Sequence, residues 1–224
     1  PTARVVERPF LPRITEVGEK HPVTEGLAEF GPQPASDGEG PGWGRWFRLI
    51  DVTPKSGHAV MAGEGDRPLL VLDRVGEGRV ALLASDHAWL WSRGYEGGGP
   101  QLELLRRLAH WMMKEPELEE EALRATDQGG EVLVTRRTLG NAPGEVTVEG
   151  PDGETYAVTL SEQSPGRFTG SFTPGADGIY RLSEGDLSAV VGVGPAAPRE
   201  FEQTIASGET LGPAVDARRG GVVR

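Results

Sequence analysis

In the stretch PLLVLDRVGEGRVALLASDH, residues 68–87, two apolar runs flank the tripeptide Gly76-Glu77-Gly78. A short connection that contains glycine, placed between two apolar runs, predicts a β-hairpin. The second run, residues 80–84, shows no alternation with polar side chains, which predicts a strand covered on both faces. Because this run ends in Ser85-Asp86-His87, those three polar residues should lie where the strand ends.

A helix is predicted to follow the hairpin, since Pro100 comes directly after three glycines and proline is favoured in the first helical turn. Apolar residues then recur at helical spacing up to Glu115, which predicts a helix that covers the sheet. The stripe expected to face the sheet consists of Leu102, Leu105, Ala109 and Met112, widened by Leu104, Leu108 and Trp111. Beyond Pro116, the acidic residues 117–124 predict a short exposed helix.

Residues 125–196 have a different pattern, in which short apolar runs recur about every ten residues. This spacing predicts an all-β sandwich. The sequence ADGIYRL, residues 176–182, resembles the tyrosine corner of immunoglobulin-like domains, with Tyr180 as the corner tyrosine. Leu182 then stands where disulfide-bonded members of that class have their second cysteine.

Composition narrows the classes of function. The 224 residues include 23 basic and 34 acidic side chains, a net charge of −11, which disfavours nucleic acid as a partner. No cysteine is present, so the chain offers no disulfide, no thiolate nucleophile and no cysteine-ligated metal. The four histidines lack the spacing of metal ligands, and we therefore expect neither a metal nor another cofactor.

Three segments, in this order, resemble a known family: HPVTEGL (residues 21–27), the hairpin quoted above, and the end of the helix, LAHWMMKE. Together they are similar to the C-terminal half of the class I glutamine-amidotransferase-like fold, and to its trehalose-utilisation-like subgroup in particular. The resemblance implies that residues 1–124 form a partial α/β domain, a mixed sheet with a covering helix. It also implies that the nucleophile lies outside this segment and that His87 matches the histidine at the end of a late strand. The acid that usually follows is absent from His87-Ala88-Trp89.

The whole segment also resembles part of large predicted bacterial inner-membrane proteins of unassigned function. There, an amidotransferase-like domain is followed by a β-sandwich and a membrane helix, with residues 197–224 matching the linker or tail between them. This resemblance implies a location on the periplasmic side of the bacterial inner membrane, with the cytoplasm as the alternative. The expected partner is the remainder of a longer chain of its own, with a homodimer as the alternative. Contact with the membrane would come only through segments outside this sequence.

Two groups of residues are candidate sites, each with a structural alternative. Ser85, Asp86 and His87 could supply nucleophile, acid and base, but adjacent strand residues point to opposite faces, so they could equally mark a strand end. A second group could bind sugar rings through its aromatic faces or could fill gaps at the end of the sheet. Its members are Trp89, Trp91, Arg93 and Tyr95.

Three functions remain open from the sequence. The first is a non-catalytic, extracytoplasmic binding or assembly module of a membrane-anchored bacterial protein. The second is part of a hydrolase or amidotransferase-like enzyme in which His87 is the base and the nucleophile lies elsewhere. The third is a carbohydrate-binding module that uses the tryptophan-rich loop.

Overall fold

The computed structural model describes residues 4–32 and 41–194, and it consists mostly of antiparallel β-sheets. The predicted linker or tail, residues 197–224, lies outside the described residues. The strands are β1 (Arg4–Val6), β2 (Arg13–Ile14), β3 (Leu49–Asp51), β4 (His58–Ala62), β5 (Pro68–Val75), β6 (Gly78–Leu83), β7 (Ala122–Asp127), β8 (Val132–Arg137), β9 (Val146–Glu149), β10 (Thr155–Val158), β11 (Ser161–Ser164), β12 (Arg167–Phe172), β13 (Gly178–Glu184) and β14 (Leu187–Val193). The helices are α1 (Glu16–Lys20), α2 (Trp89–Ser92) and α3 (Gln101–Met112).

The first unit is built on a four-stranded sheet in the order β2-β4-β5-β6, with β1 and β3 paired separately. The predicted hairpin is confirmed: β5 and β6 pair from Leu70–Leu83 to Val75–Gly78, and Gly76 provides the positive φ of 57° that the turn needs. The expected mixed sheet is not observed, because every strand pairing in the described residues is antiparallel. The connections at residues 63–67 and 76–77 are too short for a parallel crossover.

Helix α3 packs against β6, as expected of a covering helix, but it does so through a different stripe. Leu104 and Trp111 are buried, whereas Leu102 is 83% exposed and Leu105 and Met112 are each nearly half exposed. The sequence offers two adjacent apolar stripes, and the one that contains the large indole of Trp111 turns inward. The other stripe is left on the surface.

Strand β6 is also covered on one face only, contrary to the prediction for residues 80–84. Its residues alternate between exposed and half-buried, with Val80 at 50% and Leu82 at 46% exposure. The opposite face carries Arg79, Ala81 and Leu83, and α3 packs on that side, where Arg79 lies against the ring of Trp111. An unbroken apolar run therefore arises here without a second covering layer in the described residues.

The second unit consists of two four-stranded antiparallel sheets, in the orders β11-β12-β8-β7 and β10-β9-β13-β14. Side chains from both sheets form one core, which includes Val132, Val134, Val148, Tyr180 and Leu182. The predicted short helix over residues 117–124 is wrong. Only residues Pro116–Leu118 form a 3-10 turn, and β7 begins at Ala122, so the predicted domain boundary at residue 124 falls within this strand.

Candidate functional site

The hydroxyl of Ser85 is hydrogen-bonded to backbone groups at the end of β6. Its Oγ donates a hydrogen bond to the carbonyl oxygen of Arg48, 2.6 Å away, and accepts one from the amide of His87 at 3.2 Å. Together with the bond from the Ile50 amide to the Ala84 carbonyl, these contacts fasten the segment after β6 to β3. Ser85 is only 6% exposed, so neither its proton nor its lone pair faces a substrate.

The imidazole of His87 is oriented opposite to that of a catalytic histidine. Its Nδ1 accepts a hydrogen bond from the amide of Phe47 at 3.1 Å, which leaves the proton on Nε2. In a serine triad, Nδ1 donates to the acid and Nε2 takes the proton of the nucleophile. Because Nε2 of His87 carries the proton, it has no lone pair to accept one from a nucleophile in this state.

Asp86 does not orient His87 either. Its Oδ1 lies 3.8 Å from Nε2 of His87, beyond hydrogen-bonding distance, and its side chain is 67% exposed. The carboxylate is instead 3.5 Å from the guanidinium of Arg48. The structure thus brings Ser85, Asp86 and His87 together as the end of a strand, and their hydrogen bonds do not form a catalytic relay.

Trp43, Trp46 and Trp91 form a buried cluster, whereas Trp89 is exposed. Trp91 is 3% exposed, packs edge-on against Trp43 and tilted against Trp46, and donates from Nε1 to the carbonyl oxygen of Gly44 at 2.8 Å. A Cβ on Gly99 would come within 2.4 Å of the Trp91 ring, so the glycine-rich loop follows the indole face closely. These contacts make Trp91 a packing residue that a sugar could not reach.

The other members of the candidate binding group are accessible. Trp89 is 52% exposed, and Arg93, one turn later, is also exposed. Tyr95 is 40% exposed and packs edge-on against Phe47. The cleft of about 360 Å³ beside His87 is lined by none of these three side chains.

A site that sequence reasoning missed lies where the two units meet. Glu120 belongs to the acidic run expected to be solvated, yet it is 7% exposed. Its Oε1 accepts a hydrogen bond from Nε1 of Trp111 at 2.7 Å and lies 3.3 Å from Nε2 of His21, while its Oε2 pairs with Arg74. His21 is a packed residue: it is 1% exposed, and its Nδ1 accepts a hydrogen bond from the amide of Val23 at 3.2 Å.

The protonation states of this buried pair follow from its contacts. Burial lowers the pKa of His21, and the hydrogen bond that its Nε2 donates to Glu120 opposes this shift only in part. Burial alone would raise the pKa of Glu120, but hydrogen bonds from His21, Arg74 and Trp111 outweigh it and hold the pKa below its usual range. The pair is therefore a neutral imidazole that donates to a carboxylate, and it borders a cleft of about 290 Å³.

In residues 4–32 and 41–194, no group of three or more histidine, aspartate or glutamate side chains has an arrangement that could hold a metal ion. None of the helices described is long and apolar enough to cross a membrane. No protein-family model matches the sequence, and comparison with curated proteins found no similar one.

Proposed function

We propose that this chain is a non-catalytic, extracytoplasmic binding or assembly module of a membrane-anchored bacterial protein. In this proposal, residues 1–124 are the C-terminal half of an amidotransferase-like domain, followed by an immunoglobulin-like sandwich. The observation that carries the proposal is an uncovered apolar surface at the β6 end of the first sheet. The hydrogen bonding of Ser85 and His87, which provides no activated nucleophile, supports the non-catalytic part.

The uncovered surface begins on the outer face of the sheet. In the register of β5 and β6, Asp73 lies opposite Val80 and Val75 lies opposite Gly78, so Val75, Val80 and Leu82 share one face. Val75 is 61% exposed. Ile50 and Val5, which pair with each other, are 37% and 41% exposed, and the Ile50 amide bonds to the Ala84 carbonyl at the end of β6.

The exposed stripe of α3 adds to the same end of the sheet. It consists of Leu102, Leu105 and Met112, and Met113 directly after the helix is 63% exposed. Since α3 packs on β6, and β6 is the last strand of its sheet, both apolar surfaces belong to elements at one end. The two surfaces lie on opposite sides of the sheet, because α3 covers the face of β6 that carries Arg79, and exposed apolar surface of this kind marks an interaction site.

The occupant we propose is the other half of the amidotransferase-like domain, as the resemblance implies. In a doubly wound domain the sheet continues past such an edge strand and helices cover both faces. A second copy is the less favoured occupant because two chains of net charge −11 repel each other. The envelope location rests on the resemblance alone.

The strand order of the second unit supports the immunoglobulin-like assignment. If β7 to β14 are equated with strands A, B, C, C′, D, E, F and G, one sheet has the order D-E-B-A and the other C′-C-F-G. This is the division of strands between sheets that is typical of immunoglobulin-like domains. Tyr180 then lies on strand F, and its hydroxyl bonds to the backbone of Ala176 upstream, as in a tyrosine corner.

Hydrogen exchange combined with sedimentation tests the proposal. We expect the 224-residue chain to be monomeric at all concentrations, and the amides of β6 that face its free edge to exchange fast. In the longer protein that the proposal requires, the same amides should be protected. Equal exchange in both chains would contradict the assembly surface. A dimer that Leu82→Asp abolishes would show that a second copy is the occupant instead.

A further inference from the structure

The outer surface of the β7-β8-β12 part of the second unit carries arginine and hydroxyl side chains. Arg167 lies directly opposite Arg137 in the next strand, and Thr135 lies opposite Arg124. None of the outward-facing positions on these three strands is acidic: they are Ala122, Arg124, Thr126, Leu133, Thr135, Arg137, Arg167, Thr169 and Ser171. These strands thus present basic and no acidic side chains outward, although glutamates from outside them pair with Arg124 and Arg137.

Like charges directly opposite each other destabilise a sheet. An anion between Arg137 and Arg167 would therefore stabilise this pair. A carboxylate from the first unit already supplies part of this negative charge. Arg137 donates to Oε2 of Glu25, and Ser164, next to Arg167 in the register, donates to Oε1 of Glu25 at 3.2 Å. The position of this carboxylate identifies the chemistry that the surface recognises.

Arg167 has donors to spare. Within the described ranges it forms no ion pair, whereas Arg137 pairs with Glu25 and Arg124 pairs with Glu117. Its side chain is exposed at the start of β12. A guanidinium has five donors in a planar fork, which match two oxygens of a carboxylate or phosphate group.

The surface also has room for a ligand. A cleft of about 980 Å³ lies between the two units, and its lining includes the apolar side chains of Phe30 and Leu118 together with Arg137 and Arg167. The same lining carries five glutamates, Glu19, Glu25, Glu29, Glu115 and Glu117, so Arg167 is the arginine there that we expect to attract an anion. A second cleft of about 380 Å³ runs along the outer surface past Arg124, Thr126 and Thr135, and it shares Arg137 and Arg167 with the first. Volumes in this range are typical of small-molecule sites.

We propose that Arg137, Arg167 and Arg124 form a binding site for the carboxylate or phosphate group of a small molecule, with Glu25 as an internal competitor. The apolar part of the ligand would lie against Phe30 and Leu118. The site is separate from the surface at the β6 end of the first sheet, and its test does not depend on what covers that surface.

Amide chemical shifts in nuclear magnetic resonance spectra, followed during titration, test the site. Sodium phosphate and sodium acetate are added separately, with chloride exchanged so that the ionic strength stays constant. The amides of Thr135, Arg137 and Arg167 should shift saturably. Glu25→Gln should bind about tenfold more tightly and Arg167→Ala about tenfold more weakly, because hydrogen bonds to charged groups are of this strength. The tighter anion identifies the group recognised.

Arg181→Ala is the matched control, because Arg181 is an exposed strand arginine on the other sheet and forms no ion pair within the described residues. It should bind both anions like the unmodified chain. Arg167→Lys keeps the charge but loses the planar fork, and should bind more weakly than the unmodified chain. Equal affinity in Arg167→Ala and the unmodified chain would overturn the proposal, and so would equal weakening in Arg181→Ala.

Discussion

The hydroxyl of Tyr180 donates a hydrogen bond of 2.7 Å to the carbonyl oxygen of Ala176 and accepts one of 3.2 Å from the amide of the same residue. Tyr180→Phe should therefore lower the free energy of unfolding by about 1 kcal/mol, the usual value of one buried hydrogen bond. Urea denaturation measures it. Tyr156→Phe is the control, because Tyr156 is 37% exposed and its hydroxyl makes no hydrogen bond within the described residues. Equal losses in the free energy of unfolding for the two substitutions would contradict the tyrosine-corner assignment of Tyr180.

Removal of the charge on Glu120 should destabilise the junction of the two units. Glu120→Gln leaves Arg74 and His21 without their carboxylate, and we expect a loss of about 2 kcal/mol. This is less than the value for a fully buried pair, because the side chain of Arg74 is half exposed. Glu117→Gln, in the same acidic run but 81% exposed, should cost less than about 0.5 kcal/mol. Thermal or urea denaturation compares the two variants, and similar losses would argue against a role for burial.

The buried His21 should make stability depend on pH. Its pKa is lowered in the folded state, so below about pH 6.5 the unfolded chain binds a proton that the folded chain excludes. Stability should therefore decrease as the pH falls from 7 to 5. The lowered pKa of Glu120 adds a further loss below about pH 4.5, where the unfolded carboxyl takes up its proton.

The His21 contribution is isolated by comparing the pH dependence of the unmodified chain with that of His21→Gln. The variant should have a flatter profile between pH 7 and 5, because its side chain does not titrate. Parallel profiles of stability against pH for the two chains would contradict a lowered pKa of His21. If His21→Gln does not fold, the imidazole resonances of the unmodified chain give the pKa of His21 directly, and a value at or above 6.5 would contradict it as well.

The isolated chain should hydrolyse neither activated esters nor activated amides, including glutamine. Ser85 and His87 are bound to backbone groups, so His87 is not placed to activate Ser85 as a nucleophile. His87→Ala should lose about 1 kcal/mol of stability through its bond to Phe47, without any change in the background rate. Turnover that disappears in both Ser85→Ala and His87→Ala would establish a working site and overturn this account.

Several strands of the second unit are predictable because their side chains alternate. In β8, Val132 and Val134 face the core while Leu133 and Thr135 face outward, and β9 follows the same pattern. Strand β11 cannot be predicted in this way, because its sequence, SEQS, has no apolar side chain, and it is held by pairing with β12 instead. Strand β7 was missed because the acidic residues before it favoured a helix.

The candidate sites were less predictable from the sequence than the strands were. The strand end at Ser85 was predictable, because an apolar run stops there. The pairing of His21 with Glu120 was not, since nothing in either local sequence identifies a partner so far along the chain. The same holds for α3, where two apolar stripes fit the helical period and only the position of the sheet decides which of them, with Leu104 or with Leu102, is buried.

The position of Glu120 has a mechanical consequence. It lies two residues before β7, at the start of the second unit, and it is bonded to Trp111, His21 and Arg74 of the first. A pull that separates the units would load these bonds before the short connection could lengthen. Force applied to the second unit would thus be transmitted through Glu120 to the core of the first unit. The two units would then move together under tension.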